Sequence, residues 1–185
     1  MKTSARNKIL ETALTLFYER GFHATSVDTI LAKSGVSKPT LYKHFPTKDH
    51  LILEVLNLRD QTIRPHIIAE MERRGQTPRE RLLALFDILN EWFQEDAFYG
   101  CMFINAAAEY AQRDHPVHQL SSKHKQLFSD YILQTVKEID VANPEDLTAQ
   151  LLLIMEGSIV SAHVSDPVAA GKNARRTAEI LLSHA

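Results

Sequence analysis

The chain has a single cysteine, Cys101, among 185 residues. That excludes an intrachain disulfide and any metal site built from several thiolates. There is no low-complexity segment and no repeat of fixed period, so neither a linker-rich nor a solenoid architecture is expected. No stretch alternates with period two for long enough to predict a strand. No unbroken apolar run approaches the ~18–20 residues of a membrane span. The opening Met1-Lys2-Thr3-Ser4-Ala5-Arg6-Asn7 leads into a helical pattern without a signal-peptide core. The expectation is an all-α protein of about nine helices, cytoplasmic and without membrane contact.

Charge is nearly balanced overall, at −2, but unevenly placed. Residues 1–59 hold nine Lys/Arg against five Asp/Glu, and the remainder holds twelve against eighteen. A basic first third beside an acidic remainder fits a nucleic-acid module joined to a regulatory one. The boundary is expected within a helix, giving domains of residues 1–60 and 61–185.

The stretch from Ser26 to Phe45 reads as two short helices around a glycine turn. Thr25 or Ser26 supplies the first N-cap, and Val27, Ile30 and Leu31 recur at helical spacing. Gly35 falls where the chain must turn sharply, and Ser37 with Pro39 opens the second helix. In that second helix Leu41 and Phe45 lie four apart and point to the core. Pro39, Thr40, Tyr42 and Lys43 cover the opposite face, a set of apolar edge, hydroxyl, phenol and cation suited to a groove of DNA. Lys38 and Lys48 each sit in the first turn of a helix, where a cation opposes the macrodipole unless an anion arrives.

From about Ile9 to Leu56 the chain resembles the N-terminal domain of the TetR family of bacterial transcriptional regulators. The residues that carry the resemblance are Ile9-Leu10, Ala13, Leu16-Phe17, Gly21-Phe22, Thr25-Ser26-Val27, Ile30, Gly35-Val36-Ser37, Leu41-Tyr42-Lys43-His44-Phe45 and Lys48. The resemblance implies a three-helix helix-turn-helix domain, a helical ligand-binding domain and a homodimer. It also implies Thr40 and Tyr42 near bases, and Thr25, Ser26, Lys38, Lys43, His44 and Lys48 at phosphates of a double-stranded operator.

Beyond this head, helix signals recur. Pro65 is expected to kink or end the fourth helix near Arg64. Thr77-Pro78-Arg79-Glu80 combines an N-cap, a first-turn proline and a capping-box glutamate. Leu82, Leu85, Phe86, Leu89, Trp92 and Phe93 then form one broad face. A sixth helix is predicted over 101–112 and a seventh from Pro116 to about Ile139. Asn143-Pro144 and Asp166-Pro167 open two more. The eighth is apolar all round, from Leu151 through Val164, which predicts burial on both sides. Pairing the eighth and ninth helices with a second copy is the expected homodimer interface.

The expected effector site is a small-molecule pocket drawn from Trp92, Phe93, Cys101, Asn105, Glu109, His124, Phe128 and Glu156. His124 interrupts an apolar stripe, and Asn105 and Glu109 share a helical face. Such polar groups need partners when buried. Cys101 follows Gly100 at a helix start, where a thiolate is favoured, and similar Gly-Cys segments occur in electrophile-responsive members of the family. No metal site or cofactor is expected, since His115 and His118 have no completing ligands. The reading is a dimeric repressor released by a small molecule. The alternatives are control by a protein partner or by cysteine modification, and a cysteine-dependent enzyme, which no nucleophile motif supports.

Overall fold

The computed structural model describes residues 4–184. Among these the chain forms helices and no strand: α1 (Ala5–Arg20), α2 (Val27–Ser34), α3 (Lys38–His44), α4 (Lys48–Arg74), α5 (Pro78–Phe93), α6 (Met102–Glu109), α7 (Pro116–Lys137), α8 (Pro144–Val164) and α9 (Pro167–His184). Packing divides the chain into two compact units. One runs up to Thr62 and adds Met102–His124, and the other is Ile63–Cys101 with the chain from Lys125 onward.

In the first unit, Ser4 caps α1 by accepting the Asn7 N–H at 3.2 Å. Ile9, Ala13 and Leu16 are fully buried, Phe17 nearly so, and α2 and α3 both pack on α1. The rings of Phe17 and Phe22 stack 5.3 Å apart. Ile30, Leu41 and Phe45 have no exposed surface. Each such side chain contributes roughly 1.5–3 kcal/mol by leaving water, so the orientation of α3 is fixed by its inward face.

In the second unit α5, α8 and α9 pack on one another. The capping box opens α5 as predicted: Thr77 accepts the Glu80 N–H at 3.2 Å, and Glu80 accepts the Thr77 N–H at 3.0 Å. Asn143 caps α8, accepting the Asp146 N–H at 3.1 Å. α5 and α9 meet closely at Gly171, where an added Cβ would lie 2.0 Å from Asn90 Oδ1.

Several expectations need correcting. α4 does not end near Arg64; it continues through Pro65 to Arg74. The proline withholds one N–H from the carbonyl a turn earlier, and buried residues on both sides, Leu51 to Leu56 and Met71, hold the helix regardless. α6 ends at Glu109 and α7 at Lys137, each shorter than predicted. α8 is long and apolar enough, by length and composition, to cross a membrane, although only 39% of that window is buried. Short polar interruptions, Gln150 among them, hide this from a reading of unbroken runs. Nor is α8 buried on both sides: Leu153, Val160 and Val164 are 75%, 48% and 76% exposed.

Candidate nucleic-acid interface

α2 and α3 begin with the same local device. Ser26 Oγ accepts the Thr29 N–H at 3.1 Å and lies 2.8 Å from the Thr29 hydroxyl. Ser37 Oγ accepts the Thr40 N–H at 3.4 Å and lies 2.8 Å from the Thr40 hydroxyl. Between them Gly35 adopts φ +66° and closes α2 through its N–H to Leu31 O, the left-handed turn that glycine tolerates. With Leu41 and Phe45 inward, Pro39, Tyr42 and Lys43 face solvent and His44 is partly exposed. Tyr42 keeps 41% of its surface exposed, high for a ring of its size. The α3 face predicted from spacing is therefore presented as one surface.

Three cations lie around it. Lys38 Nζ is 3.4 Å from Asp28 Oδ1, with both side chains largely exposed. A pair of that kind is screened and weak, so a phosphate displaces it at little cost. Lys43 stands exposed on α3. Lys48 donates to the His23 carbonyl at 3.4 Å. Burial holds its pKa below the usual lysine value, against the raising charges of Asp49 and Glu109.

Thr25, expected at a phosphate, is placed otherwise. It is 1% exposed, and its hydroxyl donates to Gly21 O at 2.7 Å and to Leu16 O at 3.2 Å. Those carbonyls at the end of α1 consume the hydroxyl, so Thr25 shapes the α1–α2 loop from inside. Ser26, next to it, is exposed.

The loop is also held from α6. Glu109 Oε1 accepts the Phe22 N–H at 2.8 Å, and Oε2 accepts the His23 N–H at 2.6 Å. His23 Nδ1 lies 2.8 Å from the same Oε2. Burial raises the Glu109 pKa, but the two backbone N–H donors and the His23 side chain outweigh it, leaving the group below the ordinary carboxylate value. Tyr110 stacks between His23 at 4.8 Å and His115 at 4.6 Å, and its hydroxyl reaches Asp49 Oδ1 at 3.4 Å. Burial, reinforced by the Asp49 charge, pushes that phenol up to about 12. Glu109 is thus occupied by the loop, a role that spacing within α6 does not reveal.

The remaining effector candidates divide between the units. Asn105, Glu109 and His124 belong to the first, and Trp92, Phe93, Cys101, Phe128 and Glu156 to the second. His124 has its own partner, Asp60, at 2.6 Å, and Phe103 stacks on its ring. Asn105 is half-buried on α6. In the second unit Phe93 and Phe128 are buried, and Phe98 joins the aromatic group, 4.8 Å from Trp92 and 5.3 Å from Phe93. Cys101 is a half-buried free thiol immediately before α6. Glu156 pairs with Lys125 at 3.4 Å. Among the described residues no group of three His, Cys, Asp or Glu is placed to hold a metal ion.

Comparison with known proteins gives a concordant result. Residues 9–55 match the model for bacterial regulatory proteins of the tetR family, and residues 78–178 match the tetracyclin repressor-like C-terminal domain. The HTH-type transcriptional regulator YjdC of Escherichia coli (strain K12) is 27% identical over an alignment covering 97% of this chain and 94% of that protein. The HTH-type transcriptional regulator QacR of Staphylococcus aureus is 31% identical, covering 69% of this chain and 64% of that one. A crystal structure of a TetR-family transcriptional regulator from Streptomyces coelicolor superposes with a TM-score of 0.92 at 29% identity, covering 97% of this chain and 95% of that one. These are regulators and not enzymes. With its head matched by the N-terminal model and most of the rest by the C-terminal one, the chain belongs to the TetR family of DNA-binding transcriptional regulators.

Proposed function

We propose that the protein is a homodimeric repressor, acting in the cytoplasm on an operator of double-stranded DNA and released from it by a small molecule. The observation that carries the DNA contact is the solvent-facing side of α3, where Pro39, Tyr42 and Lys43 stand opposite buried Leu41 and Phe45. In this reading Thr40 and Tyr42 approach base edges. Ser26, Lys38, Lys43, His44 and Lys48 meet phosphates, which position the head without reading sequence. Two such heads bind half-sites about one helical turn, ~34–36 Å, apart.

Dimerisation through α8 and α9 is supported by their outer faces. Leu153, Gly157, Val160 and Val164 recur at helical spacing on the exposed side of α8, and Ile180 is 51% exposed on α9. A groove of about 470 Å³ runs between these helices, lined by small residues including Gly157, Ser161, Ala169 and Ala170. Small side chains allow another helix to approach closely. The effector reading draws on the second unit, where Trp92, Phe93 and Phe128 are apolar and Thr148 Oγ1 and Asn90 Oδ1 are buried without a hydrogen-bond partner. A polar ligand satisfies such atoms.

The test is Tyr42→Ala. It should weaken binding to a duplex selected from a random pool by at least about tenfold while the mass in solution stays that of the wild type. Unchanged affinity would remove α3 as the reading element.

A further inference from the structure

We propose that Glu109, the last residue of α6, is a positioning residue for DNA binding: its carboxylate holds the α1–α2 loop in the conformation that presents the first turn of α2. The inference rests on the DNA-contact reading above. Two consecutive backbone N–H groups, of Phe22 and His23, converge on this one carboxylate at 2.8 and 2.6 Å. Consecutive amides rarely point at one acceptor unless the loop is bent around it, and charge-assisted bonds of this kind are stronger than neutral ones. The bend begins at Gly21, with φ +84°, and a Cβ there would lie 2.8 Å from Glu109 Oε1. The carboxylate therefore occupies the space a side chain at position 21 would need.

The other groups of the loop are tied down to match. Thr25 Oγ1 bonds back to Gly21 O, and Lys48 Nζ bonds the His23 carbonyl. Phe22 is fully buried, and Tyr110 stacks on the His23 ring. Only Ala24 and Thr25 separate His23 from Ser26, whose exposed hydroxyl caps α2. A loop released from Glu109 therefore misplaces the α2 terminus by way of a two-residue tether. The side chain touches no DNA contact itself and acts through the backbone it holds.

Glu109→Gln tests this. One amide group cannot accept from both N–H groups, because its NH2 faces one of them as a second donor. Binding of the full chain to a duplex selected with the wild type is followed by fluorescence anisotropy over a salt series. The variant is expected to bind about tenfold more weakly. The slope of log affinity against log salt should be shallower by about one, as one phosphate contact is lost. Glu109→Asp, which keeps the charge on a shorter stem, should recover part of both. Unchanged affinity, or weaker binding with an unchanged slope, overturns the proposal. If Glu109→Gln does not fold, amide exchange in the wild type decides: slow exchange at Phe22 and His23 supports the anchor, and exchange at the rate of an open loop overturns it. Failure of the wild type to select any duplex would instead strike at the DNA-contact reading.

Discussion

His124 Nδ1 and Asp60 Oδ1 lie 2.6 Å apart, with only 12% and 16% of their side chains exposed. Phe103 lies against the His124 ring, 3.6 Å between centroids and 8° from parallel. The histidine that breaks the apolar stripe of α7 is therefore matched by a carboxylate on α4. Asp60→Ala leaves a desolvated ring nitrogen without this partner and should lower stability by about 1–3 kcal/mol. Adding His124→Phe removes the orphaned group and should recover part of the loss. Thermal unfolding of the two variants checks this.

Gly171→Ala is expected to destabilise the second unit by about 1–3 kcal/mol. The added methyl meets Asn90 Oδ1, so α9 must shift from α5. Asn90→Ala opens that space, and the double variant should be less harmed than the sum of the singles. Denaturant titration of the set measures it.

Acid should loosen the α1–α2 loop. The Glu109 pKa is lower folded than unfolded, so its contribution is full above about pH 4.5 and is lost as pH falls through the depressed folded value. Amide exchange at Phe22 and His23 should rise, after correction for its intrinsic rate, as pH falls below about 4.5. Glu109→Gln should flatten that profile.

Leu153→Glu and Val160→Glu place charges on the outer side of α8, where the folded chain alone leaves those positions open. The single chain should fold normally, whereas the proposed dimer should dissociate. Sedimentation should then give the monomer mass. Affinity for a two-half-site duplex should fall by about 100-fold, since two linked heads bind far better than one.

Helix starts were legible because their causes are local. Ser26, Ser37, Thr77 and Asn143 each accept an N–H three residues on, and a proline lies in the first turn after Ser37, Thr77 and Asn143. The α3 surface was legible for a similar reason, since Leu41 and Phe45 fix its inward side. What escaped the sequence depends on distant partners. Pro65 looks like a stop until the flanking buried residues are seen. Thr25 looks like a surface hydroxyl until the carbonyls of Gly21 and Leu16 are seen to receive it. Glu109 acts on a loop 87 positions earlier in the chain, and no periodicity connects them.

The missing Cβ of Gly21 has a consequence for descent. Because the carboxylate of Glu109 fills the place a methyl would take, neither site is free to drift alone. Lineages that keep glycine at the first site should keep an acid at the second. A lineage that gains a side chain at position 21 should show a shortened or neutral residue at position 109, so the two columns of a family alignment should covary despite their separation.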